Sequence, residues 1–331
     1  MRKVVTAKDV ADLAGVSKWI VIRTFREGAS VSSEKRVKVE EAAKVLNYRP
    51  NLLARSLATN RTQQIGILVD DFSNPYKWSF LERFTEEAQE RGLVTVLINL
   101  NSNFNHVSAV LDAAQRQLDA IVLFDTAFRD EIIKDMQMGE HLPPLYVLAR
   151  EGQFPDVPSV LCDSEQAMKE IVEHLAGKGY KRPAFLSGTE TLQLGLGRAL
   201  YFQQSWASRN VEVVTTIMAG SYRVESGADA MRCFLNRTPA MLRPDIIMCE
   251  NDVLAVGAMD VARSEFGMRV PQDMAFVGFD NIPLAAAPSY ALTTYEQPRD
   301  QMIGRILDMI GGQATKHSAR LRGRLIERSS T

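Results

Sequence analysis

From Gln64 onward the sequence alternates short β-branched runs with helical patterns, and this alternation restricts the fold more than any other feature. The strand-like runs are Ile65–Val69, Val94–Ile98, Ala120–Phe124, Leu145–Leu148, Ala184–Leu186, Ile246–Met248 and Ala275–Phe279. Short strands separated by helices are typical of parallel sheets built from βαβ units. Roughly 270 residues are too many for one such sheet, so the pattern predicts an α/β body of two lobes.

Polar residues follow several of these predicted strands. Such residues stand at Asp70–Pro75, Ala149–Arg150, Glu250–Asp252 and Asp280–Asn281. Sheets of this class bind ligands beyond the carboxyl ends of their strands, where these segments lie. The sequence therefore predicts a small-molecule site at the strand ends.

The first 50 residues have a different pattern, which indicates three short helices. Thr6 is a candidate N-cap with Asp9 three residues later, and Gly15 can form the turn that ends the first helix. Ser17 is a candidate cap for the second helix and Ser33 for the third. Two short helices joined by a tight turn predict a helix-turn-helix, whose second helix can enter the major groove of DNA.

Charge separates the two parts of the chain. Residues 1–62 hold 13 lysines and arginines against 6 acids, a net charge of +7, whereas the rest carries −8 and the whole chain −1. A basic head on an acidic body indicates that the head alone meets a polyanion such as DNA. The alternative is a chance fluctuation in composition.

Several classes of protein lack support in this sequence. The charged N-terminus and the absence of a long apolar run give no signal peptide or membrane span, and three scattered cysteines indicate reduced thiols in a cytoplasmic protein. No phosphate loop, His-Glu-x-x-His motif or Gly-x-Ser-x-Gly elbow is present. The four histidines show no metal-ligand spacing. We therefore expect no catalytic residue, metal or cofactor.

Seven segments carry a resemblance to a known family. In order, they are KDVADLAGVS, NYRPNLLARSL, RTQQIGILVDDFSNPY, CENDVLAVGAM, RVPQDMAFVGFDN, LTTYEQP and LIERSST. With them the chain resembles the lac repressor/galactose repressor family of bacterial transcription regulators over nearly its whole length. The resemblance implies a helix-turn-helix head (1–50), a hinge helix and linker (51–62) and a periplasmic-binding-protein-like core of two lobes (63–331).

The resemblance also implies a function. Such regulators are usually homodimers that bind operator DNA, here a palindrome of about 16–20 base pairs, and act in the cytoplasm. A small polar effector, such as a sugar or sugar acid, then controls operator affinity, and the expected activity is repression. One alternative stays open, a sensor module with weak or lost specific DNA binding. A periplasmic solute-binding protein would share the fold of the body, but it would need a secretion signal and would not need a basic head.

DNA contacts follow from the resemblance residue by residue. Base-edge contacts fall to Lys18, Trp19 and Arg23, phosphate contacts to Ser17, Arg36, Asn51 and Arg55, and minor-groove contacts of the hinge to Ala54 and Leu57. Ile20 and Ile22 depart from the family, which has hydroxyl residues that touch phosphate at these positions. Alternatively, the second helix presents a solvated basic face with Trp19 packed on the head, and Leu57 packs the head onto the body.

The effector contacts come from the strand ends. The resemblance indicates Arg198, Asn251 and Asp280, with Tyr222 as a stacking ring and Phe72, Asn74 and Arg150 as further candidates. A guanidinium, an amide and a carboxylate can hold a polyol by paired donors and acceptors.

Five of these effector residues also have a simpler interpretation. Asn251 can cap the next helix, Asp280 can brace the loop toward Pro283, and Arg198 can pair with a surface carboxylate. Tyr222 can belong to the core. Arg150 follows Ala149, where many members have Asp. It therefore either favours an anionic effector or points to solvent or pairs with Glu151.

Overall fold

The structure is a computed structural model that describes residues 5–25, 29–50, 56, 61–100, 106–125, 142–151, 157–189 and 197–331. Internal contacts divide the chain into two compact units, Met1–Gln63 and Gln64–Thr331. In the described residues, no helix is both long enough and apolar enough to cross a membrane.

The described part of the first unit includes α1 (Ala7–Ala14), α2 (Lys18–Thr24) and α3 (Ser33–Val45), and Ser56 is also helical. Thr6 and Asp9 form a capping box at α1, in which each side chain bonds the backbone N–H of the other residue. Gly15 ends α1 with φ of 66°, and Ser17 caps α2 by accepting from the backbone of Ile20. These caps confirm the predicted helix-turn-helix.

One predicted cap in this unit is wrong by a residue. α3 begins at Ser33, and Ser32 occupies the N-cap position without a side-chain capping bond. The three helices pack around a small core that consists of Val10, Ala11, Val21, Val39, Ala42 and Ala43.

The second unit contains two six-stranded sheets. The first sheet has the order β11-β5-β4-β3-β1-β2 and the second β12-β10-β9-β8-β6-β7. The strand bounds are β1 Gln64–Val69, β2 Val94–Asn99, β3 Ala120–Phe124, β4 Leu145–Leu148, β5 Ser159–Cys162, β6 Pro183–Ser187, β7 Thr215–Met218, β8 Ile246–Cys249, β9 Ala275–Phe279, β10 Thr293–Glu296, β11 Ala319–Leu321 and β12 Arg324–Ile326. All neighbours pair in parallel except β10 and β12. The predicted α/β body of two lobes is confirmed.

Among the residues that the structure describes, seven longer helices pack on these sheets. They are α4 (Pro75–Glu90), α5 (His106–Gln115), α6 (Ser164–Gly177), α7 (Arg198–Ala207), α8 (Val224–Arg237), α9 (Asp252–Ser264) and α10 (Arg299–Gly311), with short 3-10 turns at Ala240–Leu242 and Pro283–Ala286. α8 and α9 pack closely because Gly257 faces the backbone of α8. A Cβ at that position would lie 2.0 Å from the carbonyl oxygen of Val224.

The chain passes between the two lobes three times, after β5, after β10 and after β11. α10 returns to the first lobe, where it packs against α4 and β5, whereas α6 packs against α7 and β12 of the second. These crossings join the two lobes, and a cleft lies at the ends of their strands. The carboxyl ends of both parallel sheets deliver polar side chains to that cleft.

Candidate functional site

Three residues of α2 are exposed on one face of the head: Lys18, Trp19 and Ile22. Trp19 is 61% exposed, so it does not pack on the head, and that alternative is wrong. The guanidinium carbon of Arg23 lies 4.4 Å from the centroid of the Trp19 ring. This cation–π contact holds Arg23 beside the tryptophan on the outer face of the helix.

The candidates for phosphate contact have different surroundings. Ser17 is exposed and uses its oxygen to cap α2, so the hydroxyl can still donate its hydrogen. Arg36 donates to the carbonyls of Thr24 at 3.1 Å and Ala29 at 3.3 Å. The arginine therefore bonds the backbone on both sides of the segment that joins α2 to α3. Four further candidates, Asn51, Ala54, Arg55 and Leu57, lie outside the described residues.

The two isoleucines that depart from the family differ from each other. Ile20 is partly buried and packs against the core of the head, and its carbonyl accepts the Thr24 hydroxyl at 2.9 Å. Ile22 is 52% exposed. The substitution at Ile20 thus adds to the packing of the head, whereas Ile22 adds apolar surface to the outer face.

Five of the predicted effector residues line one cleft of the second unit: Asn74, Arg198, Tyr222, Asn251 and Asp280. The space between its walls is about 520 Å³, part of it open to solvent. Further polar side chains also line the cleft. Asp71 and Asp125 belong to the strand ends where the sequence predicts a ligand site, whereas nothing in the sequence indicated Tyr76, Lys77 or Gln297.

Arg198 begins α7 and is buried. One terminal nitrogen donates to the carbonyl of Glu250 at 2.8 Å, and the guanidinium carbon lies 3.7 Å from the centroid of the Phe279 ring. The alternative that Arg198 pairs with a surface carboxylate is therefore wrong. Its Nε is buried without a hydrogen-bond partner in the described structure, which leaves one donor for a ligand.

Asp280 follows β9 and is also buried. Its Oδ1 accepts from Nε2 of Gln297 at 2.6 Å, so the side chain does not brace the loop toward Pro283. Burial raises the pKa of this carboxyl to about 6, although Arg198 and the bond from Gln297 act in the opposite direction. The backbone of Asp280 has φ of 111°, a conformation that costs free energy and tends to occur at functional sites.

The loop that carries Asp280 is fixed by a second buried carboxylate, Asp252. Its two oxygens accept from the Ile282 backbone at 2.8 Å and from the Thr294 hydroxyl at 2.6 Å. Gly278 permits this approach, because a Cβ there would lie 2.0 Å from Oδ1 of Asp252. In the sequence, Gly278 is only a glycine in a strand and Asp252 an acid at a helix start. Their joint role in fixing the loop of Asp280 could therefore not be predicted.

Asn251 has a structural role and a place in the cleft. Its Oδ1 accepts from the backbone of Leu254 at 2.9 Å and caps α9, which confirms the simpler reading. Capping uses the side-chain oxygen, and the residue lines the cleft as well. The amide nitrogen of Asn251 is thus a candidate donor to a ligand.

Tyr222 lies at the wall formed by β6 and β8. Its ring packs against Gly188, where a Cβ would lie 2.2 Å from Cε1 of the tyrosine. Glu250 holds that wall, since its Oε2 accepts from the Gly188 backbone at 2.8 Å and the Ser187 hydroxyl at 3.0 Å. Burial and the nearby carboxylate of Glu250 raise the pKa of Tyr222, so its hydroxyl stays protonated. The ring is only half-buried and faces the cleft, as a stacking residue requires.

Lys77 introduces a buried cation into the cleft. It pairs with the carboxylate of Asp70 and lies over the Phe124 ring, 5.4 Å from its centroid. Burial lowers the pKa of its ammonium group to about 8, an effect that Asp125 and Asp280 oppose. Lys77 stands in the first turn of α4, and nothing in the sequence singled it out.

Two predicted effector residues do not line the cleft. Phe72 packs against Trp78, with 5.4 Å between ring centroids. Arg150 is buried, donates to the carbonyls of Asp125 at 3.1 Å and Glu151 at 3.0 Å, and lies 3.9 Å from the Asp125 carboxylate. It thus neither points to solvent nor pairs with the Glu151 carboxylate. Asp125 provides the carboxylate that many family members have at the position of Ala149. Because Arg150 already has this acidic neighbour, it no longer favours an anionic effector.

Unpartnered buried atoms indicate what the cleft can bind. Three lining residues have such atoms in the described structure: the Tyr76 hydroxyl, Nε of Arg198 and Oε1 of Gln297. Buried polar atoms normally have a hydrogen-bond partner, so these three atoms are candidates to bond a ligand. They supply donors and an acceptor, the set that hydroxyl groups match best. Among the described residues, no cluster of three or more potential metal ligands was found.

Comparison with known families gives two matches. Residues 6–51 match the family described as bacterial regulatory proteins, lacI family, and residues 172–331 match the periplasmic binding protein-like domain. The chain is 30% identical over 301 residues to the HTH-type transcriptional repressor PurR of Serratia proteamaculans, covering 90% of this chain and 86% of that protein. PurR of Klebsiella pneumoniae is 29% identical over 332 residues, covering 98% and 96%.

Solved structures show the same likeness. The lac repressor dimer bound to operator and the anti-inducer ONPF superposes with a TM-score of 0.83 at 25% identity, covering 99% of each chain. The complex of the transcriptional regulator CelR with cellobiose gives 0.71 at 25% identity, covering 99% of this chain and 100% of that one. The family consists of transcriptional regulators with a helix-turn-helix domain and a ligand-binding core, not of enzymes. By its sequence and its fold, this chain belongs to the lacI family of bacterial regulatory proteins.

Proposed function

We propose that this protein is a homodimeric repressor that binds a palindromic operator in the cytoplasm and responds to a small polyhydroxylated effector. The observation that carries the proposal is one chain with both parts: an exposed recognition helix with a stacked Arg23, and a cleft with unpartnered donors and acceptors. We propose residues 1–50 as the DNA-binding domain, 51–62 as the hinge helix and linker, and 63–331 as the two-lobed effector core.

The chemistry of the cleft supports a sugar or sugar acid as effector. Asp280 and Gln297 offer acceptors, Arg198 and Tyr76 offer donors, and the half-buried ring of Tyr222 can stack on the apolar face of a pyranose. The CelR structure named above holds cellobiose, which agrees with this class. The cations of the cleft already have acidic neighbours, so a neutral sugar fits it as well as a sugar acid.

Coupling between effector and DNA is assigned to the hinge. A helix as short as the predicted hinge is marginal in water by itself, so it should form only where two copies pack on DNA. Effector binding then acts by changing the relative pose of the two first lobes of the dimer, which sets whether the paired hinges can meet. Leu57→Gly should weaken specific operator binding and flatten its response to effector, while effector affinity without DNA stays unchanged.

The test is a binding assay with the full chain and DNA selected from a random library. We expect selection of a palindrome of about 16–20 base pairs, with affinity that falls steeply as salt rises. A thermal-shift screen of sugars and sugar acids then identifies the effector, because a ligand at 100 times its Kd adds about 2.7 kcal/mol of stability. Addition of that ligand should change operator affinity at least fivefold.

A second reading, a sensor without specific DNA binding, rested on Ile20 and Ile22. The structure gives this reading less support, because Ile20 packs within an intact head and the recognition helix keeps its cap. If no sequence is enriched over random DNA at any salt concentration, with or without the identified ligand, the sensor reading replaces the repressor.

A further inference from the structure

The outer face of α2 combines charge with apolar surface. Ile22 is 52% exposed and Trp19 is 61% exposed, and Lys18 and Arg23 flank them. At 100° per residue, Ile22 falls between Lys18 and Trp19 around the helix axis. The buried residues of the helix, Val21 and Thr24, lie on the opposite side.

This face must meet a partner that is both anionic and locally apolar. A single exposed apolar side chain needs no explanation, but here two adjoin on the helix that the fold presents to DNA. Isoleucine cannot donate to phosphate. In the major groove, the 5-methyl group of thymine is the apolar feature that a side chain can read, and an aliphatic side chain is a suitable contact for it.

We propose that Ile22, supported by the Trp19 ring, reads the 5-methyl group of one thymine in each operator half-site. The inference rests on operator binding by the head. It assigns base readout to a position where the resembled family has a hydroxyl residue that touches phosphate.

The neighbouring Arg23 places this thymine. Its guanidinium is held against Trp19 and can pair with O6 and N7 of guanine. Consecutive Cα atoms are about 3.8 Å apart, close to the step of about 3.4 Å between base pairs along one strand. The thymine read by Ile22 therefore lies within two base pairs of a guanine read by Arg23.

The test replaces each thymine of the selected half-site, one at a time, with deoxyuridine, which lacks only the 5-methyl group. With the wild-type protein, we expect one position near a guanine to lose threefold to tenfold in affinity. In Ile22→Ser and in Ile22→Ala, this loss should shrink to less than twofold, because the side chain that contacts the methyl group is absent. Changes at the other thymines should stay as in the wild type.

Val37→Ser is the matched control. Val37 is a β-branched residue on α3 with 51% exposure, nearly equal to that of Ile22. We expect this variant to retain the full deoxyuridine effect. Circular dichroism of each variant in the full chain checks that the head is folded, and Ile22→Ala serves if Ile22→Ser does not fold.

The outcomes separate the inference from the proposed function. Failure of the wild-type protein to select any DNA sequence overturns the proposed function and this inference with it. Specific binding without a deoxyuridine-sensitive position overturns the inference alone. So does an unchanged deoxyuridine effect in both Ile22 variants, which would assign the methyl contact to another residue.

Discussion

The recognition helix and the effector cleft obtain their function in opposite ways. On α2, the side chains that we propose to meet DNA are consecutive or one helical turn apart, and three of them are exposed. In the cleft, Lys77, Arg198 and Asp280 come from segments more than 80 residues apart and all are buried. The helix therefore presents its charges to solvent, whereas the cleft buries its charges at a cost that their protein partners offset in part.

This difference has an energetic consequence. An exposed basic side chain costs the fold little, so the exposed positions of α2 can change with little loss of stability. The carboxylate of Asp280 is ionised at neutral pH although burial raises its pKa to about 6. A stable fold and a competent binding site thus compete at Asp280 but not on α2.

The largest expected effect is at Asp280. Asp280→Asn should abolish the effector response, because the neutral amide keeps the shape but loses the charged acceptor. The same variant should be more stable than the wild type at pH 7, by on the order of 3 kcal/mol, since each unit of pKa shift corresponds to about 1.4 kcal/mol. Effector titrations and chemical unfolding measure the two effects.

The sign of this stability change depends on pH. The folded state binds the Asp280 proton more tightly than the unfolded state, so the wild type loses stability as pH rises from about 4 to about 6. The advantage of Asp280→Asn should therefore be full above pH 6 and disappear near pH 4. Asp229→Asn, at a carboxylate that is 75% exposed, is the control and should show neither effect. An Asp280→Asn variant that responds normally to effector would place the site elsewhere.

A second prediction concerns Arg23 on α2. Arg23→Ala should weaken operator binding by about 1–3 kcal/mol and relax the preference at one base pair. Effector affinity and the stability of the core should not change, because the contacts of Arg23 are local to the helix. Arg23→Lys keeps the charge and loses the bidentate geometry, so it should retain nonspecific affinity while losing the base preference. Equal loss on specific and random DNA would assign Arg23 to phosphate.

The sequence predicted the head better than the cleft, because the head depends on residues close together in the sequence and the cleft on residues far apart. Caps at Thr6 and Ser17 depend on neighbours three residues away, so their pattern is visible in a short window. The longer strands were equally visible. Five of the described strands were missed: β5, β7, β10, β11 and β12. β11 and β12 have only three residues each, too few to show a period, and they depend on pairing with distant strands.

In the cleft, the sequence identified residues but not their partners. The position of Asn74, Arg198, Asn251 and Asp280 at strand or helix ends could be predicted. That Asp125 would neutralise Arg150, or that Gln297 would bond Asp280, depends on which strands lie side by side, since Asp125 and Arg150 follow the paired strands β3 and β4, and Asp280 and Gln297 follow the paired strands β9 and β10. The sequence pattern also could not predict which charged residues are buried. Lys77 has the sequence context of a surface residue, but it is only 5% exposed.

Gln297 allows a smaller test of the cleft. Its Nε2 donates to the Asp280 carboxylate and thereby lowers the pKa of that group. Gln297→Leu should raise the pKa of Asp280 above its value of about 6. Effector affinity should then begin to fall at a higher pH than in the wild type. At pH 8, where Asp280 is ionised in both proteins, the remaining loss should be about 1–3 kcal/mol from the missing hydrogen bonds.

The measurement is effector affinity between pH 5 and pH 8 for both proteins. The control is Gln301→Leu. Gln301 lies four residues further along the chain, in the first turn of α10, and is exposed, so its replacement should leave the pH profile unchanged. A Gln297→Leu profile that is uniformly weaker at every pH, with an unchanged midpoint, would mean that Gln297 binds the effector without affecting Asp280.

The smallest effect is expected in the head, at the capping box of α1. Thr6→Ala removes the side-chain oxygen that accepts from the Asp9 backbone, and loss of an N-cap costs about 1 kcal/mol. Because the caps of the head are local, this cost should raise amide exchange in α1 and lower operator affinity only at elevated temperature. Thr6→Ser retains the cap and should behave as the wild type. Effector affinity should be the same in all three proteins, since the cleft is built within the other compact unit. A change in effector affinity on Thr6→Ala would show that the two regions are energetically coupled without DNA, and the contrast between a local head and a distributed cleft would then not extend to their stability.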